Sequence, residues 1–375
     1  MSQHSDTGTG VSGIDRETAE RARRILESPN GVPPRTEDVE AAIAPLEKVL
    51  TATPPGPLRI TILSNLGLLL MTRFQLAGPA SEPDLRRAVG HLREAQHLHE
   101  RETGHPALSA TIANMISAQH ALAELTRDQE HLDEAIREGR KAVLRLDPDI
   151  PQRASVLASL SSALRVRYDW TGNTGDLTEA VELGRRAAAD LGHSSVRRGP
   201  VLSSLAGSLL AAGEPEESAR VYAEALASFR EASDADGEAR ALNNLAGAVA
   251  RSGRTEEAVE HYRQAVEAFT GLGEDVGRGR GLNNLAHALT RLGRHEEAVE
   301  AHTAAWHCRS AAFGPAHPES LDSLRNLAAA HLTVGHRTEA TDTYTRLHTL
   351  SHETLGPDHP RTIEAYRALE ELGEG

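Results

Sequence analysis

One phrase recurs along this chain and constrains its fold more than any other feature. It reads Leu63-Ser64-Asn65-Leu66, Ile112-Ala113-Asn114-Met115, Leu157-Ala158-Ser159-Leu160, Leu202-Ser203-Ser204-Leu205, Leu242-Asn243-Asn244-Leu245, Leu282-Asn283-Asn284-Leu285 and Leu324-Arg325-Asn326-Leu327. Successive copies start 49, 45, 45, 40, 40 and 42 residues apart, and a truncated copy, Tyr366-Arg367-Ala368-Leu369, follows after another 42. A fixed period of that length marks a stacked repeat, one supersecondary unit per copy, each too small to bury its apolar face alone.

The content of each unit is helical. Apolar residues around every phrase recur at i, i+3 and i+7. A turn follows at Gly213, Gly253, Gly293 and Gly335, where glycine suits the left-handed residue that ends a helix. A second helix then carries small residues seven apart: Ala88/Ala95, Ala135/Ala142, Ala180/Ala187, Ala258/Ala265 and Ala298/Ala305. Two helices cross closely only over small side chains, so these alanines mark the contact between the first (A) and second (B) helix of a unit. No alternating apolar and polar run is long enough for a sheet. Aromatics are only 3% of the 375 residues, so the core must be built of leucine and alanine.

The array is not uniform. From the last residue of the phrase to the first alanine, the early copies span twenty or more residues (66 to 88, 115 to 135, 160 to 180) and a later copy thirteen (245 to 258). The extra stretches hold Arg73-Phe74 with Gly78 and Arg167-Tyr168 with Gly172. The expected organisation is a disordered tail over 1–13, long-hairpin repeats with a capping helix at Ile14–Ser28 over 14–195, and regular repeats of 40–42 residues over 196–375. Asp38 through Val49 fits the B helix of a degenerate first repeat.

Leu245-Ala246, Gly253, Ala258, Tyr262 and Ala265 fall at the relative spacings of the tetratricopeptide signature. Leu285-Ala286, Gly293, Ala298 and Ala305 repeat them, as do Leu327-Ala328, Gly335, Ala340 and Tyr344. The chain thus resembles the tetratricopeptide repeat (TPR) family. The usual aromatic at the start of the A helix is leucine here. The joining segments Phe313-Gly-Pro-Ala-His-Pro318 and Leu355-Gly-Pro-Asp-His-Pro360 are similar to the kinesin-light-chain subtype abundant in actinobacteria. The long hairpins are similar to those of actinobacterial repeat proteins that accompany caspase-like CHAT proteases. The resemblance implies an all-α, right-handed α-solenoid, a superhelix whose A helices line a concave groove.

In such a groove the inward positions are Arg240, Asn243, Asn244, Gly247 and Arg251, then Arg280, Asn283, Asn284, His287 and Arg291, then Asp322, Arg325, Asn326 and Ala329. An asparagine amide both donates and accepts, so a row of them can satisfy the peptide groups of an extended ligand. Related solenoids use asparagine rows in this way. The alternative use of the same asparagines is to bond or cap neighbouring helices. The arginines favour an acidic segment or a terminal carboxylate. The chaperone-binding carboxylate clamp is a poor match, because its asparagine position holds Leu68, Gly207, Gly247 and His287 and its lysines are missing.

The expected function is a non-enzymatic scaffold or adaptor that grips a protein or peptide partner in the cytoplasm. The alternatives are an enzyme, or an accessory that presents a peptide or small-molecule substrate to one, and a ligand-responsive sensor. A formal charge of −14 argues against direct nucleic-acid or anionic-membrane binding. The single cysteine, Cys308, fits a reducing compartment, and neither a signal peptide nor a spanning apolar run is read. No cofactor and no metal are expected. His91, His97 and His99, and the pair His348/His352, lack a third ligand, and Gly277-Arg-Gly-Arg-Gly281 lacks the spacing of a phosphate loop.

Overall fold

A computed structural model of the chain describes residues 22, 35–77, 82–101, 108–146, 153–191 and 197–373. Among these are sixteen helices and no strand: α1 (Thr36–Ala52), α2 (Pro57–Ala77), α3 (Glu82–Arg101), α4 (Leu108–Thr126), α5 (Gln129–Arg145), α6 (Arg153–Thr171), α7 (Thr174–Asp190), α8 (Arg198–Ala211), α9 (Pro215–Glu231), α10 (Ala235–Arg251), α11 (Thr255–Leu272), α12 (Asp275–Arg291), α13 (His295–Phe313), α14 (Pro318–Val334), α15 (Arg337–Leu355) and α16 (Pro360–Gly373). The recurring phrases open the buried stripes of α2, α4, α6, α8, α10, α12 and α14, which are the A helices. Within each unit extensive contacts run between helices consecutive in the chain, α1 through α7 and α9 through α16; the A helices α4 and α6 also meet extensively, while α2 and α4, and α10 and α12, touch less. That pattern is an α-solenoid. The chain forms two compact units, Met1–Ser208 and Leu209–Gly375. The expected tail over 1–13 and most of the expected capping helix Ile14–Ser28 lie outside the described residues; Ala22 within it is helical and buried. Asp38 through Val49 lies within α1.

All five alanine pairs are buried. The turn glycines Gly213, Gly253, Gly293 and Gly335 adopt φ between 75° and 89°, the left-handed region in which a side chain is disfavoured. Several helix starts are capped from the side chain: Asp128 accepts from the Glu130 N–H, Asn173 from Gly175, Asp234 from Gly237 and Glu274 from Gly277. Each satisfies an amide that the helix leaves orphaned. At Gly277 a Cβ would lie 2.5 Å from the Phe269 ring, so glycine lets the aromatic at the end of α11 pack over the first turn of α12.

In the first unit the additional residues lengthen the A helices. α2 has 21 residues and α6 has 19, against 17 in α10, α12 and α14. The added turns place an arginine over the start of the B helix. Arg73 grips the buried Asp84 through two bonds of 2.7 and 2.5 Å, and Arg167 grips the buried Asp176 at 2.8 and 2.6 Å. Such forked, charge-assisted pairs fix orientation as well as distance.

Leu245 and Leu285 are 5% and 7% exposed. Leu285→Ala is expected to cost about 2–3 kcal/mol, the lower part of the range for core leucines, because neither side chain is fully enclosed. Hydrogen exchange should show the loss concentrated in α11 to α14, since each repeat touches only its neighbours.

Candidate functional site

The asparagines of the second unit pair with one another across successive A helices. Asn284 on α12 donates from Nδ2 to Asn243 Oδ1 on α10 at 3.1 Å. Asn326 on α14 donates to Asn283 Oδ1 on α12 at 2.9 Å. Asn243 in turn donates to the neighbouring Asn244 at 3.2 Å. The first unit uses hydroxyls for the same purpose: Ser64 with Thr111 at 3.1 Å, Ser117 with Ser159 at 3.2 Å and Ser162 with Ser204 at 2.7 Å. Part of the amide capacity is therefore spent on neighbouring helices. An amide has four hydrogen-bond valences, however, and each rung consumes one or two. Asn244 is exposed and Asn283, Asn284 and Asn326 are half-buried, whereas Asn243 is buried.

The arginines divide into two groups. Arg240 is tied to Asp236 at 2.8 Å, Arg291 donates to the Ala250 carbonyl at 3.3 Å, and Arg325 lies 4.0 Å from Asp322 and 3.9 Å from Glu364. Arg251 and Arg280 are exposed, and among the described residues no carboxylate lies within ion-pair distance of either. The positions 240, 244, 247 and 251 of α10, and 280, 284, 287 and 291 of α12, follow i, i+4, i+7, i+11 and so share a helix face. The sequence-expected residues thus form one stripe on each of three A helices, joined by the asparagine rungs.

A cleft of about 150 Å³ opens beside this stripe among α12, α13 and α14, lined by His287, Thr290, His295, His302, Asn326 and Thr333 with alanines between them. His287 and Asn326 were expected at the site; His295, His302 and the two threonines were not. His302 is buried and its ring meets that of His287 edge-to-face at 5.2 Å. The available signal was His295, His302 and Arg309 at seven-residue spacing, which puts them on one side of α13. Burial, then the nearby His287 and Arg309, push His302 down to about 4. Burial and Arg325 lower His287.

A larger cleft of about 280 Å³ in the first unit is lined by charged groups that answer one another. Arg93 pairs with Glu134 at 2.8 Å, Lys141 with Glu138 at 2.8 Å and Arg145 with Glu100 at 3.5 Å. Cys308 is buried and its sulfur accepts from Arg278 Nε at 2.9 Å. Among the described residues no group of three His, Cys, Asp or Glu side chains could hold a metal ion, and no helix is long and apolar enough to cross a membrane.

The tetratricopeptide repeat family model matches residues 198–270 and 278–351. No curated protein matches the sequence. A crystal structure of a Podosopora anserina protein described as a kinesin light chain, with nearly identical TPR-like repeats, is similar to this chain at 25% identity; it covers 52% of this chain and 94% of that one with a TM-score of 0.46. A signal-transduction ATPase with numerous domains from Pyrococcus horikoshii, which carries a tetratricopeptide repeat sensor, matches at 13% identity over 90% of this chain and 49% of its own, with a TM-score of 0.55. A Rap protein complexed with competence and sporulation factor matches at 13% identity over 96% of this chain and 98% of its own, also with a TM-score of 0.55.

Proposed function

We propose that this chain, whose residues 198–270 and 278–351 are tetratricopeptide repeats, is a non-catalytic adaptor of the cytoplasm that holds an extended, acidic segment of a partner protein on the A-helix stripe of its second unit. The observation that carries this reading is the pair Arg251 and Arg280, exposed and without a carboxylate partner among the described residues, beside asparagines already aligned by their rungs. Elsewhere in an acidic chain arginines are mostly paired, as Arg230 with Glu238 and Arg263 with Glu297. An unpaired guanidinium leaves its forked donors for an incoming carboxylate. The rungs support the reading in a second way. Amides held in place by one bond lose little freedom when they make another to a ligand's backbone. Interaction with a partner is the general use of such a scaffold. The Rap protein complexed with competence and sporulation factor is an instance on the same fold.

The test starts from a displayed library of random peptides selected against the whole chain. Enriched peptides should carry Asp or Glu in an otherwise extended sequence. Arg251→Ala with Arg280→Ala should weaken them by roughly five- to twentyfold at low ionic strength and much less at about 0.5 M salt, because exposed charges are screened. Asn244→Ala should weaken them equally at both salt concentrations. Unchanged affinity in both variants would move the interface off this stripe.

A further inference from the structure

The cleft among α12, α13 and α14 has a chemistry of its own. The hydroxyl hydrogens of Thr290 and Thr333 are spent on carbonyls of their own helices, Ala286 and Ala329. The donors left to an occupant are therefore the imidazoles of His287, His295 and His302 and the second amide hydrogen of Asn326, whose first is spent on Asn283. His302 is 97% buried by its 3% exposure, and among the described residues its Nδ1 has no hydrogen-bond partner; the buried Nδ1 of His295 has none either. Buried polar atoms are rarely left so. Among the described residues no Asp or Glu lines the cleft. Arg325, whose buried Nε is also unpartnered, acts on His287, and Arg309 acts on His302.

We propose that this cleft is a carboxylate-binding site in which the buried His302 and its ring neighbour His287 donate to the carboxylate oxygens. This deepens the reading of the A-helix stripe as an acidic-peptide surface and rests on it only for the identity of the natural occupant. A volume of about 150 Å³ admits a group up to the size of benzene. Two sources of the same chemistry fit that space, an Asp or Glu side chain of the bound segment or a free small carboxylic acid.

Binding is coupled to a proton. The groups facing His302 are His287 from α12 and Arg309 on α13 itself, while from α14 Arg325 faces His287; all of them lower the imidazoles concerned, so in the empty cleft the imidazoles are neutral near pH 7. A seated carboxylate reverses that field and draws a proton from solvent onto the imidazole pair. The ring that takes the proton, neutral with one donor and one acceptor before, becomes a double donor, while the other ring donates through its single N–H.

The experiment follows the histidine ring resonances of the whole chain by NMR while acetate, benzoate or an end-capped tetrapeptide containing Asp is added, with acetamide as the uncharged control. The His287 and His302 signals should shift with each carboxylate. Affinity should be roughly tenfold higher at pH 5.5 than at pH 7.5, following the linked proton, and acetamide should have no effect. His287→Gln, at the rim of the cleft, should abolish most of the pH dependence even if His302→Gln disturbs folding. Tighter binding of the peptide than of acetate assigns the site to a partner side chain, and equal or tighter binding of benzoate assigns it to a free acid. Acetamide binding as well as acetate, or ring signals unmoved by every carboxylate, would overturn the proposal. If that happens while the Arg251/Arg280 variants still lose peptide affinity, the stripe stands and the cleft alone is refuted.

Discussion

Replacing Arg167 by methionine is expected to cost about 3–5 kcal/mol, the range for removing one partner of a buried ion pair. Asp176 is the group left behind. Its side chain is 4% exposed and takes two bonds from Arg167, while the next guanidinium, that of Arg140, stands 3.9 Å away. Arg167 also reaches Asp133 at 2.9 Å, so it ties α5, α6 and α7 together. The neighbouring carboxylates hold its pKa above the ordinary arginine value. Methionine keeps most of the apolar stem, so the loss measures the charge and its bonds rather than packing. Asp176→Leu combined with Arg167→Met should recover most of the stability, because an apolar pair leaves no unpaired charge buried. Urea unfolding followed by circular dichroism, with hydrogen exchange to locate the change in α5 to α7, checks both. A single variant within about 1 kcal/mol of wild type would mean that water reaches Asp176 freely.

Acidification should begin to weaken the second unit at pH values above the ordinary carboxylate range. His302 stands at about 4 in the folded chain against 6.5 ordinarily. Between those values the unfolded chain binds the additional proton, so stability is full above about pH 6.5 and falls as pH drops toward 4. One proton across one pH unit is worth about 1.4 kcal/mol, so the loss from His302 approaches about 3 kcal/mol at pH 4. His287 and His331, both lowered chiefly by burial, act in the same direction in this unit. Urea midpoints measured from pH 7.5 to 4.5 in buffers free of carboxylates should slope downward. His302→Gln should flatten much of that slope. An identical slope in wild type and variant would show that the imidazole is hydrated in the folded chain.

What was legible in the sequence is what depends on neighbours along the chain. The recurring phrase, the turn glycines and the alanine pairs all act within one hairpin, over fewer than about 45 residues. Helix starts were equally local, since Asp234 and Glu274 cap amides three residues away. The A-helix stripe was also accessible, because its residues follow helical spacing on a single element. What was not decided there was how the asparagines are used. Reading Asn284 and Asn326 as ligand groups or as bonds between helices requires knowing which atom faces which across 41 or 43 residues.

The long hairpins illustrate the same limit. Arg73 and Arg167 stood out as extra residues, yet nothing local shows that Asp84 and Asp176 are buried opposite them. The histidine cleft lay further still from view. His295 and His302 share one side of α13 by spacing alone, but a cleft needs walls, and those come from α12 and α14. The sequence by itself determined that this chain is a stack of helical hairpins, because backbone hydrogen bonding and amphipathic periodicity are local and repeat with the phrase. Only the tertiary structure decided which polar groups pair, which stay free and where a buried imidazole lacks a partner, because those depend on side chains that meet across helices.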